Sequence, residues 1–568
     1  MTEVAQPEWS SAVARVADAM AKAMTAATFG GSRPYDPLAA GTSVAEFAGG
    51  MMLQPARLLQ VQFDAARQWG AFWTRTLTGA PTDRPRDRRF AAPAWQDDPW
   101  YRTTRDAYLL ASEQLRGVVE THEGNTQSRA MVRFLLDQYL NAIAPSNFAA
   151  TNPQVVERTL ATGGANLVQG FAHLIEDLSS GKGIVRRRSD PSAFVKGETI
   201  AATPGEVVFQ NDLFQLIQYT PTTAEVAAEP LLYVPPLVNR YYMVDLQPRS
   251  SLVKWLVDQG RTVFVISWVN PGIEHRDKAV EDYVREGIIA AISAVHARTE
   301  AKVDLFAFCL GGTLVAIALA DLAAREGAGS VNSATLIGSM IDFADMRDWS
   351  AFVHEAHLDA LDAHLAKQGY IESTELQQLF AAMRANDLIW SSVINHYLLD
   401  QPAPPSDLLY WFEDGARIPA AFLTSYNRKL LSQNALTTPA GFEVRGVPID
   451  LAKITAPILS IALKDDHVSA WSAVYDGARM LNADFVLGGS GHNAGVINPP
   501  SANKHGFWTG DARPEGAEEW LAGATRHEGS WWPHWIGWLD AKGSGKRVPA
   551  RVITDAIEAA PGAYARMA

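Results

Sequence analysis

The sequence predicts an α/β chain in two parts. A mostly helical N-terminal domain spans residues 1–190, and a mostly parallel sheet covered by helices on both faces spans 191–568. Three observations lead there. Apolar residues before position 180 recur at helical spacing, as with Val13, Val16, Met20 and Met24 within Ser10–Ala27. A glycine- and charge-rich stretch, SSGKGIVRRRSDP (Ser179–Pro191), then reads as a linker. Beyond it, short apolar runs alternate with helical segments, the pattern of a parallel sheet buried on both sides.

In chain order, the helix at Ser10–Ala27 is followed by a Gly/Ser/Pro loop, Gly30–Pro37. Pro55 suits a first helical position, and Leu59, Phe63, Ala66 and Trp73 form one stripe after it, broadened by Leu58, Trp69 and Phe72. Such a stripe packs on its own domain, or else meets an apolar phase or a partner. Further helices are expected at Asp106–His122, Ser128–Ala142 and Gln154–Leu178. Eight strands are expected at Val207–Gln210, Phe214–Tyr219, Leu231–Val234, Val263–Trp268, Val303–Phe308, Ser333–Ile337, Ile458–Leu463 and Asp484–Leu487. Helices at Ser251–Gln259, Val280–Arg298 and Leu314–Arg325 lie between them.

Composition narrows the function. At 568 residues the chain has room for two or three domains of ~100–200 residues. A net charge of −13 argues against a phosphate-binding basic face, hence against nucleic acid. MTEVAQPEWSSAV does not read as a secretory signal, and no run approaches the ~20 apolar residues of a membrane span. The expected location is cytoplasmic. One cysteine, Cys309, excludes an intramolecular disulfide and an all-cysteine zinc site. His354-Glu355-Ala356-His357 has the wrong spacing for a zinc helix, and no nucleotide-binding loop is present, so neither metal nor cofactor is expected.

Cys309 sits where chemistry is expected. It ends the run Val303–Phe308 and precedes Leu310-Gly311-Gly312 and a helix, giving strand, sharp turn, helix. That is the nucleophile elbow of the α/β-hydrolase fold, with Cys for Ser and Ala307 for the first Gly. A helix N-terminus also favours a thiolate. The fold then requires an acid and a His, in that order, at later strand ends. Asp466, with Asp465 as its rival, follows Ile458–Leu463, and His492 lies in the glycine loop after Asp484–Leu487. The oxyanion hole would use the backbone N–H of Leu310 and one from Pro235–Asn239, either Val238 or Leu237. Residues 342–449 exceed what one helix and one strand need and read as an aromatic-rich cap insertion. The expected fold is therefore an α/β-hydrolase fold with a cap, preceded by the helical domain.

Longer motifs carry a resemblance over nearly the whole chain. FCLGG (308–312), DHVSAW (466–471), GGSGHNAGVINPP (488–500), PPLVNRYYMVDLQP (235–248) and SLVKWLVDQGRTVFVISWVNP (251–271) resemble the poly(3-hydroxyalkanoate) synthases. So do NDLIW (386–390), DLLYW (407–411), GSWWPHW (529–535), DRRFAAPAW (87–95) and EAAPGAYARMA (558–568). The DLQP and FCLGG variants resemble the class I, single-subunit, short-chain-preferring members. Ala307, Leu237-Val238 and Arg240 depart from the family pattern.

The resemblance implies Cys309 as nucleophile, His492 as general base and Asp466 as its partner. It also implies a homodimer at a polymer-granule surface, with the N-terminal domain serving dimerisation, granule contact and granule-associated partners. The implied substrates are 3-hydroxyacyl-CoA and the growing polyester chain, with CoA leaving. CoA's charge needs local cations, for which Arg384, Arg240 and Lys504 are candidates. A cysteine thioesterase on the same triad, or a non-catalytic granule coat, are the alternatives.

Overall fold

The computed structural model describes residues 43–47, 50, 54–79, 87–120, 125–179, 188–325 and 327–567. The expected helix Ser10–Ala27, the loop Gly30–Pro37 and residues 180–187 of the linker lie outside the described residues. The chain divides into two units. The first is Met1–Pro191 with Ser350–His357 and Thr374–Ser406; the second is Ser192–Trp349, Leu358–Ser373 and Asp407–Ala568.

The first unit is helical. Its main helices before residue 180 are α1 (Pro55–Thr78), α2 (Pro99–Glu120), α3 (Thr126–Ala142), α4 (Pro153–Ala161) and α5 (Ala165–Ser179). Pro55 opens α1, where its missing N–H has no partner to lose. The Asn125 and Asn152 side chains accept N–H groups of the first turns of α3 and α4. The stripe on α1 divides on folding. Phe72 is buried and Trp69 Nε1 donates to Gln114 Oε1 of α2 at 2.9 Å, whereas Leu59, Phe63 and Trp73 are 55%, 74% and 52% exposed. Spacing shows which residues share a face, not which face finds a neighbour.

Residues 374–406 lie within the stretch read as a cap, yet they pack in this helical unit. Asn166 Nδ2 donates to the Leu398 carbonyl at 2.7 Å, and the Tyr397 hydroxyl donates to buried Asp177 at 2.6 Å. Ser189 and Ser406 exchange two hydrogen bonds.

The second unit is organised by an eleven-stranded sheet. Its strands are β1 (Gly205–Gln210), β2 (Phe214–Tyr219), β3 (Leu231–Val234), β4 (Val263–Trp268), β5 (Val303–Phe308) and β6 (Val331–Ile337), then β7 (Ile458–Leu463), β8 (Asp484–Gly488), β9 (Phe507–Thr509), β10 (Thr525–His527) and β11 (Glu558–Ala559). The order is β10-β9-β8-β7-β6-β5-β3-β4-β2-β1-β11. The centre, β4 through β8, is parallel and both flanks are antiparallel. Strands β3, β4, β5 and β7 are buried along their whole length, which is why they read as unbroken apolar runs. All eight expected strands form; β9, β10 and β11 had no counterpart, because two or three residues carry no readable period.

Helices cover the sheet: α6 (Leu252–Asp258), α7 (Ala290–Thr299), α8 (Leu310–Ala324), α9 (Trp471–Met480) and α10 (Trp532–Lys542) are the ones that concern the site. Ser251 caps α6 by accepting the Lys254 N–H at 2.9 Å. The expected helix Val280–Arg298 begins with one α-turn and passes through a wider π-helical stretch, Tyr283–Ile289, before α7. In α8, Leu310 to Leu322 are all buried, and the acid among them, Asp321, is ion-paired with Arg285 and Arg325. Trp531, Trp532 and Trp535 are core residues, 0–1% exposed, and each indole N–H is satisfied. Among the described residues no helix is long and apolar enough to cross a membrane.

Candidate active site

Strand β5 runs straight into Cys309, whose backbone turns to φ 53°, ψ −128° before α8 starts at Leu310. A residue with a side chain at positive φ stores strain, of order 1–3 kcal/mol, and such strain collects where function demands a geometry. The strain rests on Cys309. Ala307, which stands where the elbow pattern has its first Gly, is an ordinary fully buried strand residue paired to Val234 and Leu336.

Hydrogen bonds from Cys309 N to the Ile337 carbonyl (2.8 Å) and from Gly312 N to the Cys309 carbonyl (2.9 Å) hold the elbow. Its tightness explains the two glycines. A Cβ on Gly311 would lie 2.4 Å from the Val234 carbonyl oxygen, and one on Gly312 would lie 2.0 Å from Ser339 Oγ. Gly312→Ala is therefore expected to cost about 1–3 kcal/mol in chemical denaturation. Adding Ser339→Gly should return part of that loss, since the obstruction is a side chain. Gly311→Ala meets a backbone carbonyl and gains nothing from the same change.

Two loops at the C-terminal ends of β7 and β8 supply the partners. Asp466 Oδ1 accepts the N–H groups of Val468 (2.7 Å) and Ser469 (2.9 Å), which fixes the carboxylate. Its Oδ2 is then aimed at His492 Nδ1, 2.6 Å away. Both side chains are buried, whereas the rival Asp465 is exposed. Burial alone would lower the His492 pKa. The charge of Asp466, with Cys309 acting in the same sense, overcomes it and pushes the ring up to about 10. The Asp466 carboxylate thus favours the charged form of a buried ring that it also holds in place.

The loop carrying His492 is anchored from below. Trp531 Nε1 donates to the Gly495 carbonyl (2.8 Å) and Trp532 Nε1 to the Val496 carbonyl (3.0 Å). The Phe308 ring lies 4.6 Å from the imidazole, and His467 lies 6.4 Å from it. A third phenomenon concerns tyrosines. Tyr426 and Tyr233, both with phenols pushed well above their ordinary range by burial, also feel the charge of Cys309.

Tyr426 begins a π-helical stretch, Tyr426–Ser432, and its ring stands 6.1 Å from those of Phe343 and Phe422. Neither tyrosine was singled out from the sequence. Tyr426 lies in an insertion without a regular period, and Tyr233 reads as one more strand aromatic.

The other expected site residues fall as follows. Leu310 opens α8, so its N–H belongs to the unpaired first turn of a helix beside Cys309. Val238 follows β3 in a loop whose carbonyl accepts the Ala416 N–H at 3.1 Å. Arg240 is buried, and its guanidinium is engaged by the carbonyls of Tyr564 (3.0 Å) and Met567, with Asp414 at 3.8 Å. Those partners make it a clamp on the C-terminal segment. Arg384 lies in the helical unit, ion-paired with Asp387. Lys504 is exposed. Among the described residues, no group of three or more His, Cys, Asp or Glu is placed to hold a metal ion.

Comparison with known proteins adds to this geometry. Residues 230–499 match the alpha/beta hydrolase fold, and residues 86–256 match the family described as "Poly-beta-hydroxybutyrate polymerase (PhaC) N-terminus". A poly(3-hydroxyalkanoate) polymerase of Methylorubrum extorquens is 39% identical over 100% of this chain and 99% of its own length. The chain belongs to the poly(3-hydroxyalkanoate) polymerase family. The polymerase subunit PhaC of Cupriavidus necator is 40% identical over 91% of this chain and 90% of its own. Like the polymerases it resembles, this chain is an acyltransferase that makes polyhydroxyalkanoate.

Proposed function

We propose that the chain polymerises short-chain (R)-3-hydroxyacyl-CoA, such as 3-hydroxybutyryl-CoA, through a covalent thioester on Cys309. The observation that carries this reading is the buried His492–Asp466 pair facing a thiol on a strained elbow. The Cys309 thiolate attacks the carbonyl carbon of the acyl-CoA thioester. The C–S bond to CoA breaks, and His492 gives its proton to the departing CoA sulfur. The acyl group remains activated, because one thioester has replaced another. His492, now neutral, takes the proton of the 3-hydroxyl of the next unit. The freed oxygen attacks the acyl-Cys309 carbonyl, forming the ester while Cys309 leaves as thiolate. Asp466 keeps the ring oriented and stabilises its charged form in both halves.

The N–H groups of Leu310 and Val238 would hold the developing oxyanion. No cofactor enters the reaction; CoA is only the leaving group. Hydrolysis competes with elongation, and the aromatic cluster of Phe343, Phe422 and Tyr426, whose tyrosine feels the charge of Cys309, favours exclusion of water. The exposed Leu59, Phe63 and Trp73 face of α1 supports a role at an apolar granule surface in the cytoplasm. The active form would be a homodimer.

Purified protein supplied with 3-hydroxybutyryl-CoA is expected to release CoA and deposit insoluble polyester. Release of CoA with free 3-hydroxybutyrate would make it a thioesterase. No release from a folded sample would leave a granule-coating role.

A further inference from the structure

The loop that follows β3 is held by residues far from it in the chain. It starts against the elbow, since a Cβ on Gly311 would lie 3.0 Å from the Pro235 carbonyl oxygen. That carbonyl accepts the buried Trp268 indole N–H at 3.0 Å. Further on, Ala416 N donates to the Val238 carbonyl (3.1 Å) and Trp411 Nε1 to the Arg240 carbonyl (2.7 Å). Asn239 Nδ2 donates to the Trp411 carbonyl at 3.3 Å, and Asn239 forms an antiparallel bridge with Gly415. These bonds take the carbonyls of Pro235, Val238 and Arg240, and none of them uses the Val238 N–H.

The far side of the loop is fixed by charge. Asp414 accepts the Tyr242 hydroxyl at 2.5 Å and the Lys196 ammonium at 2.6 Å, with Arg240 Nε 3.8 Å away. The Arg240 guanidinium also donates to the carbonyls of Tyr564 (3.0 Å) and Met567, and Lys196 Nζ to that of Ala565 (3.0 Å). Two largely buried cations around one carboxylate carry a desolvation cost that apolar side chains of the same volume would avoid. Stability alone does not account for such an arrangement. A loop whose exact position matters to the reaction does.

We propose that Asp414 and Arg240 are positioning residues for the reaction, setting this loop so that the Val238 N–H meets the oxyanion formed at Cys309. This rests on the reading of Cys309 as nucleophile and of Val238 as an oxyanion donor. Neither side chain touches substrate in this role. An oxyanion donor acts on charge that develops in the transition state, so a displaced loop lowers kcat and leaves acyl-CoA binding in place. Alkylation of Cys309 by iodoacetamide needs the thiol but no oxyanion donor, and Cys309 is the only cysteine. It therefore reports the nucleophile separately from the loop.

Asp414→Asn is expected to lower kcat with 3-hydroxybutyryl-CoA by about 10- to 100-fold, with KM and the alkylation rate close to wild type. Arg240→Met should do the same, and Arg240→Lys, which keeps the charge beside Asp414, should lose much less. Combining Asp414→Asn with Arg240→Met should add little to either alone, since both act through one loop. Tyr242→Phe removes a single hydroxyl, should lower kcat several-fold, and keeps the test open should the charge variants misfold. The α-hydroxy analogue of valine at 238 replaces that N–H by an oxygen and should reproduce the loss with alkylation unchanged. Wild-type kcat in the folded Asp414, Arg240 and Tyr242 variants overturns the proposal, as does a parallel fall in kcat and alkylation. If the ester at 238 alone lowers kcat, the oxyanion reading of Val238 stands without it. CoA release by Cys309→Ala would instead overturn the covalent mechanism itself.

Discussion

Cys309→Ala is expected to abolish both CoA release and polymer formation, a loss on the order of 10⁴-fold or more, while the protein stays folded. The fold should survive because the thiol contributes little packing: Cys309 is only half-buried, and the elbow is held by backbone bonds from Cys309 N to Ile337 and from Gly312 N to the Cys309 carbonyl. Alanine adopts the same strained backbone at similar cost. Catalysis has no substitute, since no second thiol exists in the chain. Mass spectrometry of the wild type quenched during turnover should show an acyl adduct on the peptide carrying Cys309. Near-normal turnover by Cys309→Ala would refute the covalent mechanism.

The second large effect is expected at Asp466. Asp466→Asn keeps an oxygen for the Val468 and Ser469 N–H groups but removes the charge that favours the protonated His492 ring. Loss of the correct ring state should lower kcat by about 10³–10⁴-fold. Asp465→Asn, one residue away and exposed, should leave kcat close to wild type. Equal losses in the two variants would remove the acid assignment.

The same pair predicts a pH signature. The His492 pKa is raised from an ordinary 6.5 to about 10 on folding. Its stabilising contribution is therefore full below pH 6.5 and is lost as pH rises through about 10. Denaturation midpoints across this window should fall more steeply for the wild type than for Asp466→Asn.

The residues of the candidate site were legible for a local reason. Cys309, Asp466 and His492 each follow a short buried strand within a few residues, and buried parallel strands announce themselves as apolar runs. Chain order then limited which acid and which His could meet. Arg240 was illegible in the same way that Tyr233 was. A cation beside a predicted oxyanion loop suggests a phosphate ligand, but its guanidinium is taken by carbonyls more than 300 positions away. Nor does any spacing rule tell that residues 374–406 fold against α5.

The sequence by itself determined the parallel sheet, the elbow at its only cysteine and the order of the residues that follow, because each depends on a pattern a few residues long. Tertiary structure alone decided which face of α1 stays exposed, which of two adjacent aspartates points at His492, and what engages the Arg240 guanidinium. Those outcomes depend on contacts between distant segments, where burial and charge act across space, and no local pattern records them.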